Sequence, residues 1–114
     1  MADNPYLWLV GTRCAAELEA EFNKWYDEVH IPMLTTGGHI TAVNRYKLSD
    51  VAESDQAPYL AVYAFKNEDA FKAWLASEQL ADARKEMKET WDGRDMGIPS
   101  RAFSYRRREG DPRG

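Results

Sequence analysis

The sequence predicts an α+β fold in the order β-α-β-β-α-β, a four-stranded antiparallel sheet with two helices on one face. Three observations predict it. Short runs rich in β-formers occur at Tyr6–Arg13, His39–Leu48, Tyr59–Lys66 and Arg101–Arg107. Stretches of helical period separate the first run from the second and the third from the fourth. Between the second and third runs lies only an acidic, polar segment, Asp50–Pro58, suited to a hairpin loop. That order is the ferredoxin-like arrangement.

The first strand is bounded by Pro5 and by helix-forming residues after Arg13. The first helix is expected from Ala15 to about Met33, with Thr12 and Cys14 both imperfect N-caps. Setting Leu18 at zero on a wheel of about 100° per residue puts Trp25, Leu18, Val29, Phe22 and Met33 within roughly 80° of one another. Tyr26 falls at the edge of that arc and His30 about 40° beyond it, while Asp27 points the opposite way. Pro32 lacks an N–H and crowds the carbonyl four residues back, so the helix is expected to kink or stop near His30. Gly37-Gly38 then marks a turn. In the second half, Asn67 is the expected N-cap, with Glu68 and Asp69 favouring the positive end of the helix dipole. Phe71, Trp74 and Leu75 share a face. Ser77 is positioned to restart the helix, with Leu80, Met87 and Trp91 at helical spacing. Gly93–Pro99 reads as a loop. One domain is expected over residues 1–108, with residues 109–114 as a frayed tail.

Two of the strands carry more apolar surface than two helices can cover. Tyr59, Ala61, Tyr63 and Phe65 alternate with Leu60, Val62 and Ala64, and Tyr6, Trp8 and Val10 alternate with Leu7 and Leu9. A water-facing sheet surface alternates to polar residues, and these strands do not. The simplest closure is a homodimer joined through its sheets.

Composition narrows the classes of function. The 114 residues allow one modest core, and 44% hydrophobic with 30% charged residues fits a globular protein. A net charge of -4 repels a phosphate backbone, so nucleic acid is not an expected partner. The basic run Arg106-Arg107-Arg108 lies beside the Gly/Pro-containing tail and reads as a solvated end. Cys14 is the single cysteine, which excludes an intrachain disulfide and a Cys-based zinc site. Two histidines give little material for any metal site, and no metal or other cofactor is expected. No apolar run is long enough to span a membrane, and Met1–Pro5 lacks signal-peptide character, so a cytoplasmic setting is expected. Four Trp, six Tyr and four Phe supply flat surfaces for a core and for an aromatic or hydrophobic small molecule.

Phe22, Trp25, Tyr26, His30 and Pro32 on the first helix, followed by Gly37-Gly38 and then Arg45-Tyr46 on the second strand, carry a family likeness. This pattern and the element order resemble the dimeric α/β-barrel superfamily, and within it the EthD-like branch. The resemblance implies a homodimer whose two sheets form a barrel, with a cavity between the helices and the sheet of each protomer. Relatives in that superfamily include cofactor-free polyketide cyclases, quinone-forming monooxygenases, muconolactone isomerases and haem-handling enzymes. The fold therefore does not choose the chemistry.

His30 is the candidate for acid–base work, because an ordinary imidazole titrates near neutral pH. A histidine at a helix C-terminus also stabilises the dipole and the last carbonyls. His39 follows the Gly-Gly turn, where a hairpin-end role is the plainer assignment. Tyr26 lies one turn before His30, so the two side chains are able to meet. Arg45 and Tyr46 point to opposite faces of their strand, and Tyr46 is assigned to the cavity, sharing parity with Ile40, Ala42 and Asn44. Trp8, Trp25, Tyr63, Trp91 and Arg45 are candidate walls for a bound molecule. Cys14 is assigned no role. The expected function is a small cofactor-independent isomerase, cyclase or lyase. His30 would move a proton next to a carbonyl or phenol, and Tyr26 or Tyr46 would stabilise the oxyanion. The alternatives are a non-catalytic binding or accessory protein, a cofactor-free monooxygenase and, more remotely, a haem binder.

Overall fold

Alternating apolar strands have to bury one face against amphipathic helices, and the computed structural model shows where that face lies. It describes residues 6–49, 57–92 and 101–106. Four strands, β1 (Tyr6–Thr12), β2 (Ile40–Lys47), β3 (Tyr59–Phe65) and β4 (Arg101–Arg106), form one antiparallel sheet in the order β2-β3-β1-β4. The helical segments are α1 (Glu19–Trp25), α2 (Ile31–Thr35), α3 (Glu68–Leu75) and α4 (Glu78–Trp91). This is the ferredoxin-like, α+β topology expected from the pattern. The loop at Gly93–Pro99, the tail 109–114 and most of the connection Asp50–Pro58 lie outside the described residues.

Antiparallel partners share a face, so the register sorts the strands. Trp8 pairs with Tyr63 and Val10 with Ala61 on the helix side, where Ala61, Tyr63 and Phe65 are buried. Leu9 pairs with Val62 and Leu7 with Ala64 on the outer side, where all four are half-buried. The outer face also carries Tyr46 and Tyr105, each 53% exposed. The sheet is thus apolar on both sides.

Both expected caps of the second half are present. The Asn67 side chain accepts from the Ala70 N–H at 2.9 Å, and the Ser77 hydroxyl accepts from the Leu80 N–H at 3.3 Å. α3 and α4 are therefore separate helices with separate starts. Phe71, Trp74, Leu80, Ala83 and Trp91 are their buried face. The Trp74 indole donates to the Leu34 carbonyl at 3.0 Å, tying α3 to the end of α2.

The first helix is irregular where Pro32 predicts a kink or stop. It does not stop near His30 but continues to Thr35, because Tyr26–His30 forms one turn of π-helix. The Ile31 N–H reaches back five residues to the Tyr26 carbonyl. A wider turn shifts the carbonyls past the ring of Pro32, which would clash and lack a donor in an unbroken α-helix. Beyond it, the Thr35 hydroxyl donates to the Ile31 carbonyl at 3.0 Å and the Thr36 hydroxyl to the Pro32 carbonyl at 2.9 Å, satisfying orphan acceptors of the last turn. Gly37 and Gly38 follow at φ 101° and 78°, the left-handed region that favours glycine, and redirect the chain into β2.

Candidate active site

The π turn and the middle of the sheet build the site together. The first helical segment brings Phe22, Trp25, Tyr26 and His30 to its inner side, and all four are buried. His30 is 8% exposed, deeper than the rim position its wheel angle predicts. An extra residue in a turn rotates everything beyond it around the helix axis, which accounts for the difference. The imidazole stacks on the Trp25 indole, with centroids 4.7 Å apart and planes at 24°. It meets the Tyr26 ring edge-on at 5.0 Å. Its Nδ1 is buried with no hydrogen-bond partner. Burial lowers the His30 pKa from 6.5 to about 4, against the opposing pull of the Glu86 carboxylate. The ring is therefore neutral at neutral pH.

The Tyr26 and Tyr63 hydroxyls meet at 2.6 Å in the buried interior. Burial raises both phenols above their ordinary pKa, so both keep their protons at neutral pH. One hydroxyl donates to the other, and the accepting phenol retains its own O–H as a spare donor. Arg45 of β2 lies over one member of this pair, Tyr26. Its guanidinium carbon lies 4.3 Å from the Tyr26 ring centroid and 5.4 Å from that of Tyr59. Nη1 donates to Asp27 at 3.0 Å and Nη2 to Asn23 at 2.8 Å, while Nε is buried without a partner. The cation opposes the rise in both phenol pKa values.

Of the residues expected from the sequence, Tyr26, His30, Trp25, Tyr63, Arg45 and Trp91 are brought together. Trp91 is 4% exposed and packs its ring against Phe22 and Trp25. Trp8 touches Tyr63 from the far side, at 5.4 Å, and belongs with Phe71 and Trp74. Tyr46 is a correction. It pairs with Leu60 on the outer face, and Arg45, paired with Ala61, takes the inner one. The parity fails because a bulge lies between Ile40 and Ala42. Ile40 pairs with Phe65 and packs on the core, whereas Ala42, Asn44 and Tyr46 turn outward. His39 precedes β2, outside this cluster.

Three participants were not visible from sequence reasoning. Asp27 and Asn23 hold Arg45 from the first helix. Glu86 of α4 accepts the Trp25 indole N–H on both carboxylate oxygens, at 3.0 and 3.2 Å, and takes the Thr90 hydroxyl as well. The available signal for Glu86 was its place on α4 between Ala83 and Met87, flanking the apolar face.

Fold and site define a class: a ferredoxin-like α+β protein with an imidazole and two phenols buried between sheet and helices. The chain belongs to the family described as a domain of unknown function, DUF4286, whose model matches residues 5–100. No curated protein matches it. Among solved structures it is similar to a hydroxynitrile lyase from Passiflora edulis, at 12% identity and TM-score 0.72, with 96% of this chain and 99% of that one covered. It is similar to an EthD family protein from Bacillus halodurans, at 11% identity and TM-score 0.65, covering 88% and 96%. It is also similar to SnoaB, a cofactor-independent oxygenase from Streptomyces nogalater, at 17% identity and TM-score 0.63, covering 97% and 99%. At these identities the likeness is one of fold, and at that level the EthD-like resemblance read from the sequence holds. Among the described residues no helix is long and apolar enough to cross a membrane, and no three His, Cys, Asp or Glu side chains are grouped to hold a metal ion.

Proposed function

We propose that this chain is a cofactor-independent small-molecule enzyme that moves a proton on an oxygenated, largely apolar substrate, as an isomerase, cyclase or lyase. The observation that carries the reading is the buried, neutral imidazole of His30 with an unpaired Nδ1, beside a phenol pair that has one spare O–H donor. His30 accepts a proton next to a carbonyl or phenol. The spare phenol proton and the Arg45 cation stabilise the oxyanion that forms. An imidazole of pKa about 4 is a weaker base than a free one, so most of the driving force has to come from that anion stabilisation. Trp25, Trp91 and Tyr63 supply the aromatic surroundings, and Trp8 supports Tyr63 from behind.

That a cofactor-independent oxygenase and a hydroxynitrile lyase share the fold supports small-molecule chemistry, in the oxygenase without a cofactor, and keeps oxygenation as the alternative reaction. A carrier or accessory role is favoured by one feature, the hydrogen bond between the Tyr26 and Tyr63 hydroxyls, which leaves one phenol proton rather than two for a substrate. A homodimer completes the proposal. The outer face of Leu7, Leu9, Leu60 and Val62, edged by Tyr46 and Tyr105, leaves apolar area whose burial stabilises association at about 25 cal/mol per Å².

The test is a thermal-shift screen of hydroxyaromatics, quinones and polyketide-like compounds, followed by chromatography and mass spectrometry of each hit incubated with enzyme. Native-state binding raises the melting temperature by mass action. Turnover that is lost in a folded His30→Ala dimer supports the reading, and unchanged turnover removes it. Binding with no new species, by retention time or by mass, leaves the carrier; a gain of oxygen leaves the oxygenase.

A further inference from the structure

We infer that Glu86 is a positioning residue for His30, holding the Trp25 indole flat against the imidazole and placing a negative charge behind it. The inference deepens the proposed function and rests on His30 as its proton acceptor.

The geometry runs in one line from α4 to the imidazole. Glu86 grips the Trp25 indole nitrogen with both oxygens, at 3.0 and 3.2 Å, and the opposite end of that contact chain is the His30 ring stacked 4.7 Å from the indole. Thr90, one turn further along α4, donates to the same carboxylate and fixes its rotamer. The single indole proton is shared between the two oxygens, and the rings packed around Trp25 limit its pivoting. Trp91, T-shaped against Trp25 at 5.7 Å, closes the other side. The plane of Trp25, and with it the plane offered to His30, is therefore held from α4 as well as by Phe22 and Tyr26 of its own helical segment.

The charge has its own role. The groups that face His30 are Tyr26 on its own helical segment, Tyr63 of β3 behind Tyr26, Arg45 of β2 on the far side of the Tyr26 ring, held by Asp27, and Glu86 of α4. Of these, the Glu86 carboxylate is the one that favours the protonated imidazole, against the desolvation that disfavours it. When His30 takes a proton, the imidazolium forms beside an anion already in place, which needs no rearrangement at that moment. Glu86 acts through Trp25 and touches no reacting atom.

The experiment is an NMR titration of His30 in the full chain, which needs no substrate and so separates this inference from the reaction it serves. Glu86→Gln keeps an acceptor for the indole and removes the charge. The His30 midpoint is expected to move down, on the order of half a pH unit, with the indole N–H resonance retained. A purely structural acceptor predicts no movement, and a midpoint within about 0.1 of wild type overturns the inference. Trp25→Phe keeps the carboxylate and a stacking ring and removes the indole donor. Its midpoint is expected at or above wild type, and one below it shows that ring packing rather than the carboxylate governs the imidazole, which also overturns the inference. The second variant decides the matter should the first lose its native near-ultraviolet spectrum.

Discussion

Tyr26 and Tyr63, 37 positions apart in sequence, close their hydroxyls to 2.6 Å between the first helical segment and the centre of the sheet. Both residues are buried, and each hydroxyl is the other's hydrogen-bond partner. Removing one strands the other.

Tyr63→Phe and Tyr26→Phe are each expected to cost about 1–3 kcal/mol of stability, the desolvation penalty of a stranded hydroxyl. The double Phe variant is expected to cost clearly less than the sum of the two, because it strands nothing. Urea unfolding of the four proteins measures the coupling directly, and strictly additive losses would show that the pair is not a unit.

The stability of the fold is expected to depend on His30 in mild acid. Its pKa is about 4 when folded and near 6.5 when unfolded, so the unfolded chain takes up the proton first. The contribution of the neutral ring is complete above the unfolded value and falls as the pH drops from there towards the folded one. Across that window it amounts to about 3 kcal/mol. Denaturant unfolding at neutral pH and at several steps down to the folded midpoint, in wild type and in His30→Asn, checks it. The substituted protein should show a visibly shallower slope.

Two caps are expected to act independently. Asn67→Ala removes the acceptor for Ala70 N–H and Ser77→Ala the acceptor for Leu80 N–H, each at a cost of about 1 kcal/mol. Their sum should hold within about 0.5 kcal/mol, since they start different helices. A larger combined loss in thermal unfolding would mean that α3 and α4 behave as one helix.

The outer sheet face is expected to hold two protomers together. Leu9 and Val62 pair across β1 and β3 on that face, and Val62→Asp puts a charge in its middle. Sedimentation should find a dimer for the wild type and a monomer for the variant. A wild-type chain that stays monomeric at high concentration would remove the dimer from the proposal.

Much of this architecture was legible in the chain because it is local. Asn67 and Ser77 announce their helices, Gly37-Gly38 its turn, and the alternation in β3 its two faces. What escaped was whatever depended on a miscount of one residue. A single extra residue at Thr41, whose hydroxyl donates to the Ala64 carbonyl, exchanged the faces of Arg45 and Tyr46, and strict alternation has no means of seeing it. The same holds for His30, which an ideal wheel leaves at the rim. Glu86 escaped for another reason. A carboxylate 61 positions from the indole it binds is brought there by tertiary packing, and its place beside the apolar face of α4 does not say what it meets.

The wide turn at Tyr26–His30 makes the aim of the imidazole a question of counting rather than of chemistry. The same residues wound as an unbroken α-helix would put Trp25 and His30, five positions apart, about 140° from each other around the axis and off their stack. Within such a scaffold, the winding of one turn, with every side chain unchanged, decides whether imidazole and indole meet.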